Sequence, residues 1–310
     1  MVFKFNFSQD EDEDSVVPVV EDNVAPALPS RKVELEQLAS VLPQELQAES
    51  IPIQGLPCPL FKRDLADIKF QLAQEDSMEG NSLSYLADNC DLVKGVYEGG
   101  FKTWECSLDL ASYISQNLTN TELEHKSILE LGCGSALPGI AALLVSPTAR
   151  VDFQDYNDQV LSLLTFPNIV LNTVAREHVT ENNGAIELQV DQQYIPGRVR
   201  LFAGDWGSLL NTLDLSEETK YDLILTSETI YSEESIPKLY SVIKSALKPS
   251  GVVLVAAKNI YFGVGGGILA FKALVQQDGM FDVQTVWETS GNNVVRREVL
   301  KLIRKIDFPR

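Results

Sequence analysis

The stretch ILELGCGSALPGI at residues 128–140 decides the class of fold. A short apolar run ends beside Glu130, glycines follow at positions 132 and 134, and small residues then open a helical pattern. A glycine turn after a strand lets the backbone approach a ligand closely, so this stretch predicts a nucleotide-binding strand–turn–helix unit. The dinucleotide pattern GxGxxG fails at its third glycine, which is Leu137 here, and no Gly-Lys-Ser/Thr of a Walker loop follows. The turn alone does not identify the nucleotide.

Strand-like runs and helical periodicity alternate along the chain that follows this turn. Further strands are predicted at 151–155, 198–206, 221–228, 251–258, 281–287 and 294–303, and helices at 106–118, 136–145, from about 157, 235–247 and 267–277. The short, nearly uninterrupted apolar strands predict an α/β fold, with a mostly parallel sheet covered by helices on both faces. Only residues 290–293 separate the last two strands, which predicts a hairpin and therefore one antiparallel strand.

Composition divides the chain into three parts. Residues 1–30 hold the acidic run Asp10–Asp14 and several prolines, which predicts a disordered arm, preceded by the short alternating motif FKFNF at residues 3–7. Residues 31–96 read as short helices separated by prolines, so we expect a helical extension that packs on the rest of the protein. Residues 97–310 carry the regular alternation and form the predicted catalytic domain.

The overall composition limits the classes of function. The four cysteines form no CxxC pair and only two histidines occur, so no metal site and no disulfide framework is predicted. The net charge of −19 argues against direct binding of nucleic acid and suits a basic protein partner. No apolar run is long enough for a membrane span and no signal-peptide pattern is present, so an intracellular soluble protein is expected, with no membrane partner.

Chemically suited side chains follow the predicted strands at the edge where open α/β sheets bind ligands. Asp155 ends the second strand, where a carboxylate accepts hydrogen bonds from the ribose hydroxyls of an adenine nucleoside. Asp205 and Trp206 end the third strand and suit the amino group and the ring of adenine. Glu130 suits a cationic ligand and not a pyrophosphate. S-adenosylmethionine, which carries a sulfonium and an ammonium, is therefore the predicted cofactor.

Several motifs resemble one known family. The segments ELGCGSALPG, QDYN, GDW and SETIY resemble the family-16 branch of class I S-adenosylmethionine-dependent methyltransferases. Closer still, YEGGFKTWECS (97–107), SETIY (227–231), AAKNIYFGVGGG (256–267) and the N-terminal FKFNF resemble the protein-histidine methyltransferase group within it. The resemblance runs from about residue 60 to the C-terminus and also covers the first residues.

This resemblance implies a seven-stranded Rossmann-like sheet and a protein substrate. The implied acceptor is a histidine of large-subunit ribosomal protein three, methylated on the distal (tele) ring nitrogen, and the implied compartments are cytoplasm and nucleus. Carried over position by position, the family's cofactor-binding positions fall on Thr103, Trp104, Glu105, Cys106, Ser107, Gly132, Gly134, Asp155, Tyr156, Asn157, Gly204, Asp205, Trp206 and Ser227. Glu130 is added to this set because its carboxylate suits a cationic ligand.

The acceptor chemistry points to two catalytic candidates. A neutral imidazole is already nucleophilic, so the site needs only an acceptor that fixes its tautomer and stabilises the imidazolium formed. Glu228, or a backbone carbonyl near it, is the predicted acceptor, and Tyr231 is expected to wall the substrate. The glycines at 263 and 265–267 suggest a substrate-facing loop, with Tyr261 and Phe262 as its aromatic lips.

Two other functions remain open at this point. A protein-lysine methyltransferase of the same fold differs because lysine must lose a proton before it attacks. A non-catalytic assembly factor that holds a ribosomal protein would bind its partner without the cofactor. A methyltransferase for amino-purines or amides is disfavoured, since SETIY stands where such enzymes carry Asn/Asp-Pro-Pro-Tyr. A monomer is expected.

Overall fold

The computed structural model describes residues 27–43, 45–76, 99–173, 179–182, 185–189, 197–261, 263, 265–290 and 295–305. The strands are β1 (Arg31–Val33), β2 (Glu45–Ile51), β3 (Leu60–Arg63), β4 (Ser127–Leu131), β5 (Arg150–Asp155), β6 (Val179–Asn182), β7 (Ala185–Gln189), β8 (Val199–Ala203), β9 (Tyr221–Ser227), β10 (Leu247–Lys258), β11 (Phe281–Glu288) and β12 (Arg297–Arg304). The helices are α1 (Leu35–Val41), α2 (Leu65–Asp76), α3 (Glu105–Asn117), α4 (Asn120–Leu123), α5 (Leu137–Val145), α6 (Asp158–Val160), α7 (Phe166–Thr173), α8 (Trp206–Leu209), α9 (Ile236–Ala246) and α10 (Ile268–Asp278), with a π-helical turn at Leu161–Thr165 joining α6 to α7.

The large sheet has the strand order β1-β8-β5-β4-β9-β10-β12-β11. Strands β8, β5, β4, β9 and β10 are parallel, whereas β12 runs antiparallel to both of its neighbours. The predicted α/β class, the seven strands and the closing hairpin are therefore confirmed. The three-residue strand β1 was not predicted; it adds an eighth, antiparallel strand beside β8.

Alternating side chains on the central strands feed two cores, one on each face of the sheet. On β4, Ile128 belongs to the core that includes Ile140 of α5, whereas Leu129 belongs to the core that includes Ile243 of α9. The chain runs from β4 outward to β5 and then returns to β9 on the other side of β4. The direction of winding changes there, and a crevice forms at the carboxyl ends of these strands.

The predicted helical character of residues 31–96 is only partly correct for the part that is described. Residues 31–76 contain β1, β2 and β3 as well as α1 and α2. In β2, Leu46 and Ala48 are buried while Glu45, Gln47 and Glu49 are exposed, which is the two-residue period of a strand. Strand β2 pairs with β3 and with β7 in a second sheet of order β3-β2-β7-β6. Neither β6 nor β7 was predicted.

Buried polar contacts join this extension to the α/β domain. The Arg63 side chain is buried, and its Nη1 donates to the carbonyl of Leu163 at 2.9 Å while its Nε donates to Asp67 Oδ2 at 2.7 Å. The backbone N–H of Phe61 donates to Asn172 Oδ1 at 2.9 Å. The described part of the extension therefore packs on the domain, because Leu163 and Asn172 of the domain accept hydrogen bonds from buried groups of the extension.

The predicted acidic arm and part of the predicted extension fall on residues that the structure does not describe. Residues 1–26, which hold the FKFNF motif and most of the predicted acidic arm, lie outside the described residues. Residues 77–98, which include the predicted boundary between the extension and the catalytic domain, also lie outside them. The three-part division of the chain stays a prediction. None of the helices formed by the described residues has the length and apolarity that a membrane crossing requires.

Candidate active site

A cavity of about 660 Å³ opens at the carboxyl ends of the central strands. This volume lies in the range of small-molecule and cofactor sites, about 300–1,000 Å³. Most of the predicted site residues line it, namely Trp104, Ser107, Gly132, Gly134, Asp155, Tyr156, Gly204, Asp205, Trp206, Ser227, Glu228 and Tyr231. Parallel strands bring these residues together because their carboxyl ends meet at one edge of the sheet.

The glycine turn after β4 forms the floor of the cavity. Gly132 and Gly134 have φ angles of 62° and 48°, in the left-handed region that favours glycine. A Cβ on Gly132 would lie 2.5 Å from Thr229 Cγ2, and one on Gly134 would lie 3.1 Å from the carbonyl oxygen of Gly100. The turn therefore requires glycine for conformation and for space, and it leaves the backbone open to a ligand.

Asp155 joins this turn to the next strand end. Its Oδ2 accepts the N–H of Gly134 at 2.8 Å, and its Oδ1 accepts the N–H of Asn157 at 3.2 Å. The carboxylate is buried yet lines the cavity. It is thus fixed at the cavity by two backbone donors. Asn157 contributes its backbone here and does not line the cavity.

Gln154 is a site residue that sequence reasoning missed. Its Oε1 accepts Trp206 Nε1 at 2.7 Å and the N–H of Gly132 at 3.2 Å, and its Nε2 donates to the carbonyl of Gly204 at 2.8 Å. One buried amide therefore holds three strand ends in register. The available signal was a polar residue in a strand that the sequence predicts to be covered on both faces, because a buried polar side chain needs partners.

The far end of the cavity is closed by residues 27–33, named here the N-terminal edge segment. Ala27 lines the cavity, the N–H of Asp205 donates to the carbonyl of Leu28 at 2.9 Å, and β1 pairs with β8. Gly204 has a φ of 107°, and a Cβ there would lie 2.6 Å from Ser30 Cα. This contact explains why glycine precedes Asp205. No pattern near residue 204 could have revealed a wall from the opposite end of the chain.

The Asp205 carboxylate already has partners on this wall. Its Oδ1 accepts the N–H of Gly207 at 2.7 Å, which caps α8, and Lys238 Nζ lies 3.0 Å from its Oδ2. Trp206 lies beside it with its indole N–H bound to Gln154. The aromatic ring is therefore held in a fixed orientation at the cavity.

Glu130 does not take the position expected from its charge. It is buried below the turn, outside the cavity lining, and its Oε2 accepts the N–H of Gly139 at 2.8 Å. Its Oε1 has no hydrogen-bond partner among the described residues. Burial raises the pKa of Glu130 to about 8. A Cβ on Gly139 would lie 2.5 Å from Glu130 Oε2, so a helix glycine makes room for the carboxyl group.

This burial predicts a pH-dependent stability. Because the folded-state pKa of about 8 exceeds the ordinary 4.5, the folded protein retains a proton that the unfolded chain loses. The free energy of unfolding should therefore fall as pH rises from about 5.5 to 8. In Glu130→Gln, which keeps the shape and the acceptor for Gly139, this fall should be smaller by roughly 2 kcal/mol, measured by urea unfolding without cofactor. Equal pH dependence in both proteins would contradict the assignment.

Glu228 directly follows β9 and has a strained backbone conformation. Its φ of 58° is unusual for a residue with a side chain, and such residues cluster at functional sites. Its Oε1 accepts the N–H of Cys106 at 3.4 Å and lies 3.6 Å from Lys258 Nζ, and its Oε2 accepts the Tyr261 hydroxyl. The carboxylate also lines the cavity, so it can meet a substrate while these three groups hold it.

The start of α3 supports Glu228 from behind and contributes less to the cavity than expected. Cys106 offers its backbone N–H, and burial raises the pKa of its thiol well above the ordinary value, so the thiol is not a nucleophile. Glu105 points away and lies 3.5 Å from Arg297 Nη1 and 3.7 Å from Lys258 Nζ. Thr103 Oγ1 is buried without a partner among the described residues. None of these three residues lines the cavity.

The glycine loop after β10 adopts a different role from the predicted one. Tyr261 is not an outward lip, because its hydroxyl points inward to Glu228. Gly263 lines the cavity, whereas Phe262 lies outside the described residues. The N–H of Gly266 donates to the carbonyl of Tyr231 at 2.9 Å, so the loop is attached to the segment that carries Tyr231.

Comparison with known proteins agrees with this arrangement. A family model described as "Lysine methyltransferase" matches residues 93–183 and 176–261. The histidine protein methyltransferase 1 homolog of Dictyostelium discoideum is 38% identical over 222 residues, which cover 72% of this chain and 63% of that protein, slightly less than two thirds of its length. The histidine protein methyltransferase 1 of Schizosaccharomyces pombe is 34% identical over 304 residues, covering 89% and 88%.

Among solved structures, magnesium protoporphyrin IX methyltransferase from Synechocystis with bound SAH has a TM-score of 0.44 at 13% identity and covers 77% of this chain and 100% of that one. The methyl donor of the matched family is S-adenosylmethionine. The chain therefore belongs to the family-16 class I S-adenosylmethionine-dependent methyltransferases, in the group of the histidine protein methyltransferase 1 proteins.

Proposed function

We propose that this protein transfers a methyl group from S-adenosylmethionine to the distal (tele) ring nitrogen of a histidine in large-subunit ribosomal protein three. The names of the similar proteins support histidine as the acceptor. The observation that carries the proposal is the Glu228 carboxylate, which lines the cavity while Tyr261, Cys106 and Lys258 hold it.

The cavity fits the proposed cofactor. Gly132 and Gly134 provide a turn without side chains for the methionine end, and Asp155 provides a fixed carboxylate for the ribose hydroxyls. Trp206 provides a ring at the adenine end, beside the N-terminal edge segment. When bound, S-adenosylmethionine supplies a methyl group that the positive charge on sulfur has already activated.

The protein then has to orient the imidazole and exclude water. An imidazole with a pKa near 6.5 is mostly neutral at pH 7, so no strong base is needed to create the nucleophile. Glu228 accepts the N–H of the proximal ring nitrogen, which leaves the distal nitrogen without a proton and free to attack. The same carboxylate stabilises the positive charge that the ring gains when the new N–C bond forms, and the ring then releases its proton to solvent.

The groups already bound to Glu228 favour histidine over lysine as the methyl acceptor. Lys258 Nζ already lies 3.6 Å from this carboxylate, and the Tyr261 hydroxyl occupies its other oxygen. A substrate ammonium would compete with Lys258 for the same negative charge, and the two cations would repel each other at this distance. A neutral imidazole donates one hydrogen bond without such competition.

The partner and the setting are proposed on charge and on the relatives. A net charge of −19 suits a basic substrate such as a ribosomal protein, approached by a monomeric enzyme in the cytoplasm and nucleus. A non-catalytic assembly factor is the alternative function. That alternative would be favoured if no methyl transfer is found and if the ribosomal protein still binds without cofactor and to the Asp155→Ala variant.

The decisive experiment uses S-adenosylmethionine labelled in its methyl group and purified large-subunit ribosomal protein three. The labelled residue is identified after hydrolysis, with Asp155→Ala as the control. Methylhistidine with the methyl on the distal nitrogen, absent in the control, is the expected result. Label in methyllysine would overturn the acceptor, and absence of label with intact cofactor binding would overturn the substrate.

A further inference from the structure

The Tyr261 side chain makes a directed contact with the Glu228 carboxylate. Its hydroxyl oxygen accepts the backbone N–H of Lys258 at 3.3 Å, so the single hydroxyl proton is left for Glu228 Oε2. Burial and the nearby Glu228 charge raise the pKa of this phenol far above its ordinary value. The hydroxyl therefore stays protonated and donates to the carboxylate.

The Glu228 side chain depends on such external support. Its backbone is in the left-handed region, and its N–H donates to the carbonyl of Ala256 at 2.9 Å. The contact with the Cys106 N–H is long, at 3.4 Å, and Lys258 Nζ approaches no closer than 3.6 Å. The Tyr261 hydroxyl is thus the closest of the three groups that orient the carboxylate.

The backbone of Tyr261 connects this carboxylate to the segment that carries Tyr231. Its N–H donates to the carbonyl of Gly266 at 3.2 Å, and the N–H of Gly266 donates to the carbonyl of Tyr231. Gly266 is pressed against the same segment, since a Cβ there would lie 2.3 Å from the carbonyl oxygen of Ile230. The rings of Tyr261 and Tyr231 also meet edge to face, with centroids 6.4 Å apart.

We propose that Tyr261 is a positioning residue. Its hydroxyl orients the Glu228 carboxylate to receive the imidazole N–H, and its backbone sets the distance between that carboxylate and Tyr231. Tyr261 does not line the cavity, so it acts through Glu228 and not on the substrate. That the donor to Glu228 is an imidazole N–H rests on the proposed function, whereas the contact between Tyr261 and Glu228 does not depend on it.

The test compares Tyr261→Phe with Tyr240→Phe. Tyr240 is a suitable control, because its hydroxyl also donates to a carboxylate, Asp278 Oδ2 at 2.7 Å, and it lies outside the cavity lining. Tyr261→Phe should lower kcat about 10- to 100-fold and leave the Kd for S-adenosylmethionine within about twofold, because one charge-assisted hydrogen bond orients the acceptor. Retained cofactor binding shows that the variant is folded. Tyr240→Phe should change neither quantity.

Two further readouts separate positioning from a structural role. In a Glu228→Gln background, Tyr261→Phe should cause less than about a twofold additional loss, because the two residues act as one unit. In protein labelled with carboxyl-¹³C glutamate, the Glu228 resonance, assigned by its absence in Glu228→Gln, should shift in Tyr261→Phe and stay in place in Tyr240→Phe. Additive losses in kcat, or an unmoved resonance, would overturn the proposal.

Failure of the proposed function would look different. If wild-type protein labels lysine instead of histidine, the acceptor is wrong, but the resonance and the non-additive loss still decide whether Tyr261 positions Glu228. Both experiments use the full chain with its own cofactor and whichever acceptor is labelled.

Discussion

Replacing Glu228 by glutamine is expected to lower kcat about 100-fold or more and to leave the cofactor Kd within about threefold. Glutamine keeps the size of the side chain but removes the charge that stabilises the developing imidazolium. Its amide can also present a donor where the proximal N–H of the ring needs an acceptor. Steady-state kinetics with the ribosomal protein and calorimetric titration of S-adenosylmethionine measure the two quantities separately.

A matched control is available in Glu298. This glutamate is also buried and has the same kinds of partner, with Lys272 Nζ and Thr285 Oγ1 each 2.8 Å from its Oε2, but it lies on β12 outside the cavity lining. Glu298→Gln should affect stability more than kcat. Equal losses of turnover and of cofactor affinity in Glu228→Gln would show that Glu228 orders the site without taking part in methyl transfer.

Replacing Asp155 by alanine is expected to weaken S-adenosylmethionine binding about 100-fold or more. The change removes the proposed charged acceptor for both ribose hydroxyls, and each such hydrogen bond contributes roughly 1.5–3 kcal/mol. It also leaves the N–H of Gly134 without the acceptor that holds the glycine turn. Calorimetric titration of the cofactor measures the loss directly.

Asp152, three residues earlier on β5, separates binding from folding. Its carboxylate is as buried as that of Asp155, but it binds Arg200 and the Tyr221 hydroxyl away from the cavity. Asp152→Ala should lower the unfolding midpoint and leave the cofactor Kd unchanged. A similar increase of Kd in both variants would mean that Asp155 acts only through general destabilisation of β5.

The parts of the fold that were predictable have local causes. Strands β8, β5, β4, β9 and β10 are parallel, so their carboxyl ends meet at one edge of the sheet, and Asp155, Trp206 and Glu228 were predictable as neighbours. Strands β2 and β3 were misread because prolines interrupt the segment and because β7, the second partner of β2, lies more than a hundred residues away. Strand β1 is too short to show a period at all.

The direction of a side chain was harder to predict than its place in the chain. Glu130 lies at the expected strand end, yet it turns under α5 because Gly139 leaves space there. Gln154 and Tyr261 act through contacts with residues from other strand ends, and such pairings depend on the assembled sheet. Residue type and spacing carry no information on them before the topology is known.

The N-terminal edge segment has a consequence for the order in which the protein is made. Ser30 donates its N–H to Ser208 Oγ, a partner 178 residues later in the sequence. On the ribosome, this segment is made long before β8 and α8 and cannot pair with them until they have been synthesised, and a contact of such long range forms late in folding. The cavity is therefore completed late in synthesis, because the wall that residues 27–33 form depends on β8 and α8, and other lining residues such as Ser227 and Gly263 are made later still.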